Sequence, residues 1–433
     1  MILNNTQIYL NQLKEWKNLR QIQQEMDLPF CNNEKLTDNL ISNEQKIYKL
    51  NKVIRQDWRR KIGDLTSSIY KSTLWQTNIS DAQGAEYHYS YETLLNDENA
   101  FSDLLGYSIQ GMHNKTFLFS SGMNAISNIL YCFSSFIREN LNIQASVGYF
   151  ETKYFFKILS SMGNRINLDI KCDIDANVFY FEPIKYDATL SVTNIDDLID
   201  RINNSKAKIK FVIMDSTMHN RTNIFQNIIK KISNIRNIVF CDIRSGLKLD
   251  QEGLELTNLG ICTVFISKQS NNFFEAVKRY IEQYKGLTGT NISFHALALS
   301  HYFKFNSNSI EYTSKVRKQL IWAQKFLTQK DLSNVKRIVW RKVKLETDTL
   351  VVPFIFIELN ENNEEVYLST IQRLQNEMNK LKTPIDYRNS WGFRMPSVEY
   401  FNDIFSKKRY IKFYPGMFKG LTAVNALNVL GNL

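Results

Sequence analysis

Lys268 stands directly after the apolar segment VFIS (264–267), at the end of a predicted strand. An amine is an unusual end for a buried strand, because it must lose its hydration or find a partner. Lost hydration lowers the pKa of a lysine and makes its amine a nucleophile that can form a Schiff base. The alternative is a lysine whose aliphatic stem covers the strand end while its amine reaches water.

Two aspartates also follow apolar segments that are predicted to be strands. Asp215 comes directly after KFVIM (210–214), and Asp242 comes directly after NIVFC (237–241). A carboxylate at such a position can hold a protonated ring nitrogen, a metal or a hydroxyl group. Each aspartate taken alone is also compatible with an ordinary helix cap or turn.

Small polar residues separate the predicted strand TFLFS (116–120) from the helix that follows it. Ser121, Gly122 and Met123 open that helix. The backbone N–H groups and the dipole of a helix start favour a bound phosphate. Serine and glycine are equally common at helix starts that bind nothing.

Together these residues match the parts of a pyridoxal-phosphate site, namely a phosphate cradle, a carboxylate for the pyridinium nitrogen and a Schiff-base lysine. We assign the ring nitrogen to Asp242, because the 26 residues from it to Lys268 suffice for one crossover and the next strand. Asp215 is expected to contact ring substituents or a neighbouring loop. Lys248 is the competing lysine, but it lies six residues past Asp242 in a predicted loop, too soon for the next strand to return.

The elements that must position these residues alternate between strand and helix. Apolar residues spaced as on one helix face begin near Gly122, and SVGYF (146–150), NVFYF (177–181) and ICTVFI (261–266) are predicted strands. This alternation predicts an α/β fold with a mostly parallel sheet and helices on both of its faces. Ligands of such sheets bind beyond the carboxyl ends of the strands.

Three domains are predicted. Residues 1–85 are polar with helical spacing in places and are interpreted as a helical N-terminal arm, and residues 86–300 form the large cofactor-binding α/β domain. Residues 301–433 are predicted to form a smaller C-terminal α+β domain, in which TLVVPFIFIEL (349–359) is one strand.

The composition restricts the classes of function. A hydrophobic fraction of 43% is typical of a folded soluble protein, and the longest apolar runs are too short to cross a membrane. The first residues, MILNNTQIYLNQLKEWK, lack the unbroken apolar stretch of a signal peptide, so we expect a cytoplasmic protein without membrane contact. The five cysteines and five histidines show no ligand spacing, so no metal is expected. The net charge of +11 leaves a nucleic-acid-binding protein as an alternative, although no nucleic-acid-binding motif is present and no such partner is expected.

Several segments resemble the cystathionine synthase, cystathionine lyase and methionine gamma-lyase family. FSSGMNAISNIL (119–130) resembles the phosphate segment of that family, and residues 237–268 resemble its segment from a strand and aspartate to the closing lysine. GYFETKYFFKIL (148–159) corresponds to a tyrosine followed by a turn and a helix. The resemblance covers roughly residues 85–430.

This resemblance implies the fold of fold type I pyridoxal-phosphate enzymes, with an active site shared by two subunits of a homodimer or homotetramer. It implies that Tyr149 stacks on the cofactor ring and contributes to catalysis, and that Ser267 binds the phosphate. It also implies that Tyr89, in the arm, reaches the phosphate of the partner subunit.

The chain departs from the family pattern in three places. The arm arginine is missing from Tyr89-Ser90-Tyr91, and only one hydroxyl, that of Ser267, precedes Lys268. Lys412 stands where the family has an arginine for the substrate carboxylate. Arg394 is a second candidate for that carboxylate, because it follows Ser390 in a segment that resembles the one closing over the substrate.

The resulting hypothesis is an enzyme that acts on an amino acid through an external aldimine. The resemblance implies elimination or replacement at the β or γ carbon, as in a lyase or transferase, whereas transamination and decarboxylation need the same residues. The alternative is a non-catalytic descendant of the fold that serves binding or assembly, and the missing arginine and hydroxyl favour it.

Overall fold

The structure of the chain is a computed structural model. It describes residues 4–432 except 30–34, 71–75, 81–85, 91–94, 169–172, 220–222, 306, 331, 345–348, 388–391 and 404. The side chains of residues 65–99 and 307–309 lie outside this description.

Two long helices form most of the N-terminal region. Helix α1 spans Asn5–Glu25 and α2 spans Leu40–Tyr70, and they are followed by a hairpin of β1 (Gln76–Ser80) and β2 (Glu86–Ser90) and by helix α3 (Leu95–Leu105). Apolar residues of α1 and α2, among them Leu19 and Ile54, are buried in one cluster with Leu256 and Leu297. These helices therefore pack on the rest of their own chain, whereas the sequence predicted an arm that reaches a partner.

A seven-stranded sheet forms the centre of the molecule. Its strands are β3 (Met112–Phe119), β4 (Asn142–Ser146), β5 (Arg165–Leu168), β6 (Val178–Phe181), β7 (Lys210–Asp215), β8 (Ile238–Ser245) and β9 (Gly260–Ser267). The helices around them are α4 (Gly122–Ile137), α5 (Phe150–Ser161), α6 (Ile195–Asn204), α7 (Ile224–Lys231), α8 (Asn271–Thr288) and α9 (Phe294–Tyr302), and a 3₁₀ turn covers Lys268–Ser270.

Both faces of this sheet are buried. Phe211 and Ile213 of β7 belong to one apolar cluster, while Val212 and Met214 of the same strand belong to another. Because side chains alternate along a strand, two apolar clusters mean that the sheet is covered on both sides. The mostly parallel α/β sheet predicted from the sequence is confirmed.

One strand runs against the others. The spatial order is β3-β9-β8-β7-β6-β4-β5, and β9 pairs antiparallel with both of its neighbours. Its first residue, Gly260, therefore lies opposite Ser245 at the end of β8, and its last residue, Ser267, lies opposite Met112 at the start of β3. The carboxyl end of β9 is thus at the opposite edge of the sheet from the carboxyl ends of β6, β7 and β8.

The C-terminal region contains helix α10 (Ser307–Leu327) and a second sheet. Its further elements are β10 (Val335–Val339), β11 (Lys342–Lys344), β12 (Thr349–Val351), β13 (Ile355–Leu359), α11 (Glu364–Lys380), β14 (Asp386–Tyr387), β15 (Ser397–Asp403), β16 (Lys408–Tyr414) and α12 (Leu421–Leu430). Five of these strands form the sheet β10-β13-β16-β15-β14. Domain boundaries at residues 85 and 300 stay a prediction.

Two strand predictions need correction. TLVVPFIFIEL (349–359) is divided between β12 and β13, which belong to different sheets, and Pro353 lies at the break because proline cannot donate to a strand ladder. SVGYF (146–150) is not a strand: β4 ends at Ser146, and α5 begins at Phe150.

No helix in the described ranges is long and apolar enough to span a membrane.

Candidate active site

The candidate site is a cavity of about 350 Å³ at the edge where β6, β7 and β8 end. Its walls come from the start of α4, from residues at or after the ends of β4, β6, β7 and β8, and from the loop between β8 and β9. Its lining residues include Ser121, Gly122, Met123, Tyr149, Glu182, Tyr186, Asp215, Thr217, Met218, His219, Ser245 and Lys248.

The start of α4 forms one wall. Ser121 caps the helix, because its side chain accepts a hydrogen bond from Asn124 N at 3.1 Å. A Cβ atom on Gly122 would lie 3.1 Å from Ser245 Cβ, so glycine allows the helix start to approach β8 closely. The predicted positions of Ser121, Gly122 and Met123 at a helix start beside a cavity agree with the structure.

Asp215 is the aspartate that faces the cavity. It is the last residue of β7 and half-buried, and its carboxylate accepts hydrogen bonds from Tyr180 Oη at 3.3 Å and Thr217 N at 2.9 Å. These two donors fix the orientation of the carboxylate at the rim of the sheet.

Asp242 does not line this cavity. β8 continues three residues past it to Ser245, so Asp242 lies within the strand and is fully buried. Its carboxylate accepts hydrogen bonds from Tyr107 Oη at 2.7 Å and from the Ser216 hydroxyl. Burial raises the pKa of Asp242 to about 6. The expected contact of Asp242 with a ring nitrogen is therefore corrected, since both oxygens face hydroxyl groups of the protein interior.

Lys248 is the lysine of the cavity. Its residue is 6% exposed, and its Nζ lies 5.6 Å from the ring centre of Tyr149 and 5.8 Å from that of Tyr186. Burial, with a smaller contribution from the charge of Lys412, lowers the pKa of Lys248 to about 8. An amine in this state is a better nucleophile at neutral pH than an exposed lysine.

Ion pairs hold the loop between β8 and β9 that carries Lys248. Three acidic residues of the loop pair with arginines from three parts of the chain: Asp250 with Arg244 at 3.1 Å, Glu252 with Arg394 at 3.4 Å, and Glu255 with Arg55 at 3.2 Å. Most of this loop is buried, so the position of Lys248 is fixed by packing and by charge pairs rather than by a strand.

Lys268 lies at the other edge of the sheet. It follows β9 as predicted, but β9 is antiparallel, and its eight residues rise about 25 Å at roughly 3.3 Å per residue. Lys268 is exposed, and its backbone N–H donates to Gly111 O at 3.0 Å. Ser267 is buried at the same edge, and its hydroxyl accepts a hydrogen bond from Gln269 N at 3.3 Å. Neither residue reaches the cavity, which corrects their expected roles in binding a cofactor there.

Tyr149 does line the cavity, as the sequence suggested. It immediately precedes α5, and its ring centre lies 5.5 Å from that of Tyr186. Burial raises the pKa of the Tyr149 hydroxyl, so it stays protonated at neutral pH.

Glu182 organises the two tyrosines of this wall and was missed from the sequence. Its carboxylate accepts hydrogen bonds from Gly148 N at 2.9 Å, Tyr149 N at 3.0 Å and Tyr186 N at 2.7 Å. A Cβ atom on Gly148 would lie 2.5 Å from Tyr186 N, so the two loops meet only because residue 148 is glycine. Burial raises the pKa of Glu182 to about 8. A carboxylate directly after the strand NVFYF was the available signal.

Lys412 lies behind Tyr186 and does not line the cavity. Its Nζ donates to the Tyr186 hydroxyl and to Glu399 Oε2 at 3.0 Å, and the rings of Phe354 and Tyr414 surround it. Burial lowers the pKa of Lys412 to about 8. The charge of Lys412 is paired with Glu399. The sequence had suggested that Lys412 binds the substrate carboxylate, but in the structure it lies outside the cavity.

Arg394 is also removed from the cavity. It is fully buried, with Nε 2.8 Å from Glu15 Oε1 and Nη1 3.4 Å from Glu252 Oε2. It joins α1 to the loop of Lys248, which corrects its expected contact with a substrate carboxylate. Ser390 lies outside the described residues, and the side chain of Tyr89, in β2, is likewise not described.

No group of three or more His, Cys, Asp or Glu side chains that could hold a metal ion occurs in the part of the chain that the structure describes.

A comparison with solved structures found several similar chains. Apo CalE6, a methionine gamma lyase from Micromonospora echinospora, matches with a TM-score of 0.54 at 12% identity, over 83% of this chain and 93% of that one. An archaeal O-phosphoseryl-tRNA(Sec) selenium transferase matches with a TM-score of 0.46 at 13% identity, over 96% of each chain. A cysteine desulfurase from Thermococcus onnurineus NA1 matches with a TM-score of 0.44 at 8% identity, over 77% and 81% of the two chains.

Neither a family profile nor a curated protein matches the sequence. The likeness to the methionine gamma lyase shows the fold, which is the fold type I α/β architecture that the sequence predicted.

Proposed function

We propose that this chain is a pyridoxal-phosphate-dependent enzyme that acts on an amino-acid substrate, with Lys248 as the lysine that carries the cofactor. The observation that carries the proposal is the buried amine of Lys248 in one cavity with Asp215 and the start of α4. The structurally similar protein CalE6 is a methionine gamma lyase, which supports the proposal of an enzyme that acts on an amino acid.

The residues of the cavity fit the chemistry of the cofactor. The start of a 16-residue helix at Ser121, Gly122 and Met123 suits a phosphate, because N–H groups and the positive end of the helix dipole favour an anion. The hydroxyl-bearing residues Thr217 and Ser245 line the same cavity. A Cβ atom on Gly122 would narrow the space beside Ser245, so the small residue keeps this cradle open.

Asp215 takes the role that the sequence gave to Asp242. Its carboxylate, oriented by Tyr180 and Thr217, would accept a hydrogen bond from the protonated ring nitrogen. The Tyr149 ring beside it would lie against the face of the cofactor ring, which is the stacking role that the family resemblance implies.

The chemistry that pyridoxal phosphate supplies when bound is an electron sink for the charge that develops on the substrate Cα. Lys248 would hold the cofactor covalently through its amine, which the lowered pKa makes available in its neutral form. Once released by the substrate, the same amine would remove and return the proton at Cα as general base and acid.

The finer reaction is proposed from the family resemblance. We propose elimination or replacement at the β or γ carbon, as in a lyase or a transferase, and transamination remains an alternative that uses the same residues. A homodimer or homotetramer with shared active sites, and a cytoplasmic location, are further proposals on the same basis.

A titration of the purified chain with pyridoxal phosphate tests the proposed function. We expect a visible absorption band that saturates at one cofactor per chain and shifts when amino acids are added. Equilibrium dialysis that detects no bound cofactor would contradict the proposal and favour a binding or assembly role for the fold.

A further inference from the structure

The side chain of His219 is a buried polar group that lines the cavity. It is 1% exposed and lines the cavity, yet neither Nδ1 nor Nε2 has a hydrogen-bond partner among the described residues. Leaving a buried donor or acceptor unpaired typically costs about 1–3 kcal/mol, so such groups are rare in folded proteins and often belong to binding sites.

The backbone of His219 is fixed, so its side chain cannot easily leave the cavity. Its N–H donates to Ser216 O at 2.8 Å, and its carbonyl accepts a hydrogen bond from Arg317 Nη2 at 3.0 Å. The turn that precedes it is held to β8, because Ser216 N donates to Ile243 O at 2.8 Å and Thr217 Oγ1 accepts a hydrogen bond from Ser245 N at 3.0 Å.

The charge state of the imidazole restricts what it can recognise. Burial, together with the nearby charge of Arg317, lowers the pKa of His219 to about 3. The ring is therefore neutral at physiological pH and offers one N–H donor and one nitrogen acceptor. It would recognise a ligand by a directed hydrogen bond to an oxygen and not by charge attraction.

We propose that His219 is a ligand-contacting residue whose imidazole N–H donates to an oxygen of the molecule bound in the cavity. The inference rests on the proposed function and adds a residue to it. The oxygen belongs either to the cofactor or to the amino-acid substrate, and the two sources share the same acceptor chemistry.

Three variants test this contact. His219→Leu removes both nitrogen atoms, and His219→Gln keeps a neutral donor and acceptor. Lys268→Ala, at an exposed residue that lies away from the cavity, is the control. Each variant is titrated with pyridoxal phosphate alone and then, once loaded, with the amino acid that shifts the absorbance of the wild type.

We expect His219→Leu to weaken binding of one of the two ligands about fivefold to twentyfold, as loss of one hydrogen bond does. We expect His219→Gln to stay within about threefold of the wild type. Weaker cofactor binding assigns the oxygen to the cofactor, and weaker amino-acid binding alone assigns it to the substrate. The cofactor-free His219→Leu protein should melt at a higher temperature than the cofactor-free wild type, because its unpaired groups are gone.

The inference is overturned if the wild type binds the cofactor while His219→Leu binds both ligands as tightly as the wild type and Lys268→Ala do. If the wild type forms no complex with pyridoxal phosphate, the proposed function itself fails, and the inference fails with it.

Discussion

Two pairs of residues, each an aspartate and a lysine, have the composition of a cofactor site, but only one pair lines the cavity. Asp215 and Lys248 line one cavity at the edge where the parallel strands end. Asp242 lies inside β8, and Lys268 follows β9 at the opposite edge. The lysines differ because an antiparallel β9 carries its last residue away from the ends of β7 and β8. The aspartates differ because β7 ends at Asp215, whereas β8 continues past Asp242 to Ser245. Apolar patterning predicts where a strand ends along the chain, whereas the direction of pairing decides where that end lies in space.

The largest expected difference between the two pairs is in the lysines. Lys248→Ala should remove covalent attachment of pyridoxal phosphate and reduce turnover by at least about a thousandfold, because a nucleophile and a proton-transfer group are lost together. Lys268→Ala is the matched control and should retain both properties, since Lys268 is exposed and distant from the cavity. The absorbance of reconstituted protein and the rate of substrate consumption measure the two effects. Loss of attachment in Lys268→Ala with full attachment in Lys248→Ala would reverse our assignment.

The aspartates should differ next. Asp215→Asn should lower turnover about a hundredfold or more while attachment persists, because a neutral amide cannot keep the ring nitrogen protonated. Asp242→Asn should change turnover by less than about fivefold, since both of its oxygens accept hydrogen bonds from hydroxyl groups of the protein. Steady-state kinetics on the two reconstituted variants provides the comparison. The opposite ranking would return the ring nitrogen to Asp242.

Arg394 tests whether a buried arginine outside the cavity stabilises the fold or binds the substrate. Arg394→Ala should lower the free energy of unfolding by about 3–5 kcal/mol, because it leaves Glu15 and Glu252 buried without their partner. Denaturant unfolding measures the loss, and Lys268→Ala serves as a control of small expected effect. Unchanged stability combined with a raised KM for the amino acid would instead support a contact with the substrate carboxylate.

The last comparison is the pH dependence of cofactor attachment. Attachment needs the neutral amine, and the pKa of Lys248 is lowered to about 8, so the rate should rise about tenfold per pH unit up to pH 8 and then level off. The pKa of an ordinary lysine is about 10.4. A rate that continued to rise up to that pH would point to an exposed lysine. Stopped-flow absorbance between pH 6 and pH 10.5, with enzyme stability checked at each pH, gives the profile.

Much of the fold followed from the sequence. The strands β6 and β7, the helix α4 beginning at Gly122 and the mostly parallel sheet were predicted from apolar periodicity and from the small residues at the helix start. That part succeeds because burial on both faces of a sheet forces nearly continuous apolar strands. The helix start at Ser121, Gly122 and Met123 lies beside the cavity, as expected of a strand followed directly by a helix. Its role as a phosphate site stays a prediction.

The errors arose where position depends on contacts between distant segments. The loop of Lys248 is held at the cavity partly by Arg55 and Arg394, which pair with its residues Glu255 and Glu252 from distant parts of the chain. The extension of β8 beyond Asp242 follows from its pairing with β7 and β9, which continues to Asp215 and Gly260. These pairings cannot be predicted from the spacing of residues along the sequence.

The most direct test of the account is the identity of the lysine that carries the cofactor. The wild-type protein is loaded with pyridoxal phosphate, reduced with borohydride, digested and mapped by mass spectrometry. We predict a phosphopyridoxyl group on the peptide that contains Lys248 and none on the peptide that contains Lys268. A modification found on Lys268, with Lys248 unmodified, would contradict the account.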